Sequence, residues 1–197
     1  MSKIFNYSGV KDTLNFNGKL PGQIGDVMPG KDIYAALTSE VLEDGQLVYV
    51  DSSKDLRGFV VRVAKPIQAS DTAVKFTGII LKDIHGQLGR TALGSQNIHE
   101  YAKGTAVSVL SQGSVHVPVQ DTGTITANGK VYVRIKASTT NAALPIGGIE
   151  TKEVSGETIE WTRAKFTGLY GYPQKSTADG TTSATSLTGR TAEIIIE

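Results

Sequence analysis

The chain has 197 residues, enough for one domain or two small ones with a substantial buried core. Hydrophobic residues make up 39% and charged residues 20%, which argues against a disordered chain, and no apolar run reaches the length of a bilayer span. With 20 Lys and Arg against 19 Asp and Glu the formal net charge is +1, so no nucleic-acid partner held by counterion release is expected; the absence of cysteine excludes disulfides and thiolate metal sites and fits assembly in a reducing cytoplasm.

Residues 1–20 hold Phe5, Tyr7 and Phe16 among polar residues with no clear period, and read as an irregular N-terminal arm. They lack the apolar core and cleavage pattern of a signal peptide. Either the arm packs on its own domain or it grips a partner. Residues 21–197 read as a single β domain. The stretch GDVMPGKD, Gly25 to Asp32, begins like a phosphate-binding loop. Asp32 then stands where a Ser or Thr would hold Mg²⁺, and Pro29 spoils the loop, so a Pro-Gly turn is the better reading. KDIYAALTSEVLEDG is the helix candidate: Ile33, Leu37 and Val41 have helical spacing, yet Ile33, Ala35 and Leu37 also alternate, and the segment stays ambiguous.

Clearer strand signals follow. GQLVYVD comes after Asp44-Gly45 and GKVYVRI after Asn128-Gly129, dipeptides that accept the positive φ of tight turns. RGFVVRV, AVKFTGIIL, GTAVSVL and GSVHVPV lie between them. VSVLSQGSVHVPV reads as a hairpin looping through Ser111, Gln112, Gly113 and Ser114, with Pro118 at an edge or a strand end. EWTRAKF and AEIIIE supply two further strands, separated by a polar, Gly/Ser/Thr-rich stretch over 171–190 that reads as a long exposed loop. The fold class is therefore all-β: a single β-sandwich, jelly roll or partly closed barrel with an N-terminal arm and a long C-terminal polar loop. The tetrapeptide KFTG occurs twice, at Lys75–Gly78 and Lys165–Gly168, in flanks that share little else. It reads as one strand-bending device used twice, an inward aromatic followed closely by a glycine, and not as a duplicated domain.

No catalytic or metal-binding motif stands out in the sequence. His85, His99 and His116 have no metal-helix spacing; only a symmetry axis would gather them as one per subunit. Glu43/Asp44 and Asp51/Asp55 flank turns, and an enzyme would need two of Asp51, Asp55, Glu157 and Glu160 to face each other across a pocket. No nucleophile elbow is present, and Trp161 fits a core better than a sugar platform. No catalytic residue, cofactor or metal is expected.

Read in order, several segments resemble the structural cement, or capsid decoration, proteins of tailed bacteriophages. They are Pro21-Gly22-Gln23-Ile24-Gly25-Asp26, EDGQLVYVD, Phe76-Thr77-Gly78-Ile79-Ile80, the run from Tyr101 to Val117, Gly129–Val133, and the closing RAKF and GRTAEIIIE. Residues 1–20 fall outside the pattern, and the 171–190 loop is longer than the pattern carries. The resemblance implies a non-enzymatic virion protein, made in the host bacterial cytoplasm and bound to the capsid exterior. Its partners would be the phage major capsid protein and one or two further copies of itself, as a homo-dimer or homo-trimer, with Phe5, Tyr7 and Phe16 as candidate capsid or subunit contacts. No nucleic-acid or membrane partner is implied. A tail or baseplate β-module, and a carbohydrate-binding sandwich or small hydrolase, are the alternatives.

Overall fold

A computed structural model describes residues 22–25, 30, 32–54, 60–82, 100–139, 144–170 and 191–197. The expected arm over 1–20 and loop over 171–190 lie outside these. Among the described residues the chain forms strands β1 (Asp32–Thr38), β2 (Leu42–Glu43), β3 (Leu47–Lys54), β4 (Val60–Pro66), β5 (Gly78–Ile80), β6 (Glu100–Tyr101), β7 (Ala106–Pro118), β8 (Gly129–Arg134), β9 (Ile149–Glu150), β10 (Thr158–Tyr170) and β11 (Thr191–Ile196), with one 3-10 turn at Ala73–Lys75. The fold is all-β, as expected.

Nine strands form one continuous sheet in the order β1-β4-β3-β5-β7-β11-β10-β8-β9, and β1 also pairs with β7. That extra pairing rolls the first five strands into a partly closed barrel. The remaining strands fan out from β7 as a second layer. Two apolar clusters follow from this. Ala36, Val48, Ala64, Ile80 and Val109 fill the barrel with Leu42 and Tyr101, while Leu47, Ile79 and Leu110 pack from the same barrel strands onto Val133, Trp161, Phe166 and Ile194. Adjacent residues such as Ile79 and Ile80, or Val109 and Leu110, thus serve opposite faces, as the period of two requires. This explains why GII is buried at every position.

The expected hairpin through Ser111–Ser114 is not formed: Ala106–Pro118 is one strand of 13 residues. Its first half pairs with β1 (Leu37↔Ala106 to Asp32↔Gln112) and β5, its second half with β11 (Gly113↔Ile196 to Thr191↔Pro118). The residues that resemble a loop are the point where the strand bends and exchanges partners. Gly113 takes φ 131° there, and small Ser111 and Ser114 are buried. Their polar demand is met internally: Ser111 Oγ donates to Asp32 Oδ2 at 2.6 Å, and Arg163 Nη2 donates to the Ser111 carbonyl at 3.1 Å. Small polar residues need water only where the fold offers nothing else. Pro118 is the last residue of β7, an expected position.

In the ambiguous segment Asp32–Thr38 and Leu42–Glu43 are strand, and its described residues form no helix. Tyr34 and Ala36 face the barrel core, so alternation decides its conformation. Its phase is unexpected, however. Ile33, Leu37 and Val41, the residues that suggested a helix, are 43%, 39% and 58% exposed. Asp44-Gly45 and Asn128-Gly129 do take positive φ, at Gly45 (74°) and Asn128 (60°). Each leads into a strand without joining a hairpin pair, since β2 pairs with β6 and β3 with β4 and β5.

Candidate functional site

Of the carboxylates that an enzyme would need, Asp51, Glu157 and Glu160 are held in ion pairs. Asp51 Oδ2 accepts from Lys65 Nζ at 3.0 Å and Glu160 Oε2 from Lys130 Nζ at 2.8 Å, both at the surface. These pairs contribute little stability, since water screens them. Asp55, like His85 and His99, lies outside the described residues. His116 is buried within β7.

Glu157 belongs to a buried cluster that sequence reasoning missed. Arg134 closes β8 and is 1% exposed. Its Nε donates to Glu150 Oε1 at 2.5 Å and its Nη2 to Glu150 Oε2 at 3.0 Å, while its Nη1 donates to Glu157 Oε2 at 2.6 Å. Thr139 completes the shell, with its backbone N–H and hydroxyl donating to Glu157 Oε1 at 3.1 and 2.8 Å. Arg134 and Thr139 hold the Glu157 carboxyl down at about 2. Burial pushes Glu150 up, and Arg134 opposes that. With its forked donors engaged on both carboxylates, the guanidinium ties β8 to β9 and to the residue before β10. The arrangement is a structural rivet, with both carboxylates engaged by Arg134.

Trp161 is 1% exposed and meets Phe76 edge-on, ring centroids 6.3 Å apart at 82°. It is core, and offers no platform to a sugar. Phe76 is the aromatic of the first KFTG and Phe166 that of the second, and both are buried. Their glycines act differently. A Cβ on Gly78 would lie 2.4 Å from the Leu110 carbonyl oxygen, so β5 approaches β7 only because that side chain is absent. Gly168 takes φ 88° at a register shift in β10. The shared tetrapeptide therefore supports close approach in one copy and a bulge in the other.

Tyr101 shows why the run from Tyr101 to Val117 begins where it does. Its hydroxyl donates to Asp44 Oδ1 at 2.7 Å, pinning the Asp44-Gly45 turn from the far side of the chain. Phe5, Tyr7 and Phe16 lie outside the described residues. What the sequence did not signal is an exposed apolar seam. Ala35 and Leu37 of β1, Val60 and Val61 of β4, and Ala106 line an open groove of about 450 Å³, with Arg62 at its margin. Exposed apolar surface on an outward strand face marks an interaction surface more often than a chemical one.

A family model described as "Structural cement protein (E217 gp24/Pam3 gp6)" matches residues 58–194. Among solved structures, a chain from "The capsid of Myoviridae Phage XM1" is similar in fold, with a TM-score of 0.55 and 14% identity over 90% of this chain and 89% of that one. At that identity the likeness speaks to the fold alone. No curated protein matches.

Proposed function

This chain belongs to the structural cement protein family of phages, and on that premise we propose that it binds the outer surface of a phage capsid and bridges neighbouring major capsid protein subunits. The observation that carries the reading is the family match over 58–194, which spans β4 to β11 and so takes in the second layer and much of the barrel. A two-layer body riveted by the buried Arg134 ion pairs suits a mechanical role.

A bridge needs only an interface of standard size, about 1,600 Å² in total, to add several kcal/mol per site. Engaging two capsid subunits at once multiplies that through effective concentration. A homo-dimer or homo-trimer matches the local axes of a shell. In this reading residues 1–20 are an arm on a single β domain over 21–197, and Phe5, Tyr7 and Phe16 are its contacts with capsid or a neighbouring copy. The protein is made in the host cytoplasm and acts on the capsid exterior.

Deleting residues 1–16 tests the arm. The shortened chain is expected to keep its β-sheet circular dichroism and cooperative melt while decorating capsids at reduced occupancy. Wild-type occupancy would remove the arm from the account.

A further inference from the structure

We propose that Asn128 is a spontaneous deamidation site gated by its own turn: the side-chain amide cyclises with the Gly129 nitrogen only when the turn opens, and the isoaspartate that forms does not let it close again.

The fold demands this dipeptide for two separate reasons. Residues 126–129 turn the chain into β8, and the Gly129 N–H donates to the Thr126 carbonyl at 3.0 Å. Asn128, third in the turn, takes φ 60°, a left-handed conformation that asparagine tolerates better than most residues. Gly129 is required by space: a Cβ there would lie 2.9 Å from the Thr126 carbonyl oxygen and 3.0 Å from Thr126 Oγ1. Both requirements are conformational. Together they set a thermolabile side-chain amide beside a backbone nitrogen that no side chain shields, the neighbour with which asparagine cyclises most readily. Asn128 is exposed, so water reaches the cyclic product.

The same geometry restrains the reaction while the turn is closed. Cyclisation needs the Gly129 nitrogen to give up its proton and swing onto Asn128 Cγ. In the closed turn that N–H is committed to Thr126, and the Asn128 N–H donates to the Phe166 carbonyl at 2.8 Å. The second KFTG segment forms the seat. Phe166 pairs with Gly129 in the β8–β10 ladder, and at Gly168 a Cβ would stand 2.9 Å from the Ala127 nitrogen, so the turn lies tight against β10.

When the turn opens, a bond forms between the Gly129 nitrogen and Asn128 Cγ. The side-chain nitrogen leaves as ammonia, taking the proton that Gly129 gives up. Water then opens the succinimide at one of its two carbonyls. Opening at Cγ leaves aspartate in an unchanged backbone, and aspartate also tolerates positive φ. Opening at the backbone carbonyl leaves isoaspartate, whose main chain runs through Cβ and Cγ. That adds one atom to the turn, so the bonds to Thr126 and Phe166 no longer fit together and β8 loses its first rung.

Asn17-Gly18 is the other such dipeptide in the sequence, so the test uses the full chain carrying Asn17→Gln. Peptide mapping by mass spectrometry follows Asn128 in warm, mildly alkaline buffer, with the chain folded and with it unfolded in urea. Conversion in urea, with a folded rate lower by about tenfold or more, is the expected result for a turn closed by backbone hydrogen bonds. Equal rates overturn the gating, and no conversion in urea overturns the site. Chain aged in urea is then refolded beside an unaged sample treated in the same way. Its isoaspartate fraction is expected to melt lower or fail to refold, while an Asn128→Asp chain melts with its parent. An isoaspartate fraction that melts with the unaged sample overturns the claim that the turn stays open.

Discussion

Replacing Gly78 by Ala tests the junction on which both layers depend. Gly78 opens β5 opposite Val48, and its backbone φ is not in the left-handed region, so alanine brings no conformational strain. Its Cβ would however stand 2.4 Å from the Leu110 carbonyl oxygen and 2.8 Å from Val109 Cγ1. An ordinary carbon–oxygen contact is about 3.3–3.6 Å, so the strands must separate by about 1 Å. Leu110 and Val109 are fully buried on a strand held from both sides, and neither can yield cheaply. Overpacking of this kind costs about 1–3 kcal/mol, and a weakened β5–β7 ladder adds about 1 kcal/mol. For a chain of this length that lowers Tm by about 5–15 °C. Gly104→Ala is the control: nothing lies within 4 Å of its Cβ, and only the strain of φ +80° applies, about 1–2 kcal/mol. Differential scanning calorimetry of both variants decides. A Gly78→Ala chain that melts with the wild type, or no lower than Gly104→Ala, would refute the close-approach argument.

Glu150→Gln leaves Arg134 buried against a single carboxylate and is expected to cost about 3–5 kcal/mol in urea unfolding. Because Glu157 titrates at about 2 folded against an ordinary 4.5, its stabilisation is complete above about pH 4.5 and is lost as pH falls toward 2. Within the Arg134 cluster Glu150 is shifted the other way, so the cluster's acid loss belongs to Glu157, and a Glu157→Gln chain should show a flatter stability profile over that window. The Trp161 indole N–H has no partner among the described residues. Trp161→Phe should therefore cost less than about 2 kcal/mol by chemical denaturation, against about 3–5 kcal/mol for Trp161→Ala.

The strands were legible where apolar residues alternate, as in GKVYVRI, or run together beside turn residues, as in GQLVYVD and AEIIIE. Legibility failed at β7 and β1 for different reasons. In β7 the residues Ser111-Gln112-Gly113-Ser114 have loop chemistry, and only the tertiary partners Asp32 and Arg163 make them strand. In β1 the alternation was visible but its phase was not, because an apolar residue facing outward looks the same in sequence as one facing inward. The Arg134 cluster was hidden because its members are 16 and 23 residues apart, a separation no local pattern encodes. The family resemblance was carried by the order of strand-and-turn segments, which survives where a site motif would have nothing to mark.

The account's central claim is tested most directly by mixing the purified chain with expanded capsids of its phage that lack it, and measuring co-sedimentation and stoichiometry. Saturation at a fixed number of copies per capsid lattice position, with a rise in the temperature of capsid disruption, is the predicted result. A chain that stays in the supernatant, or that pellets equally with unrelated particles, would contradict it.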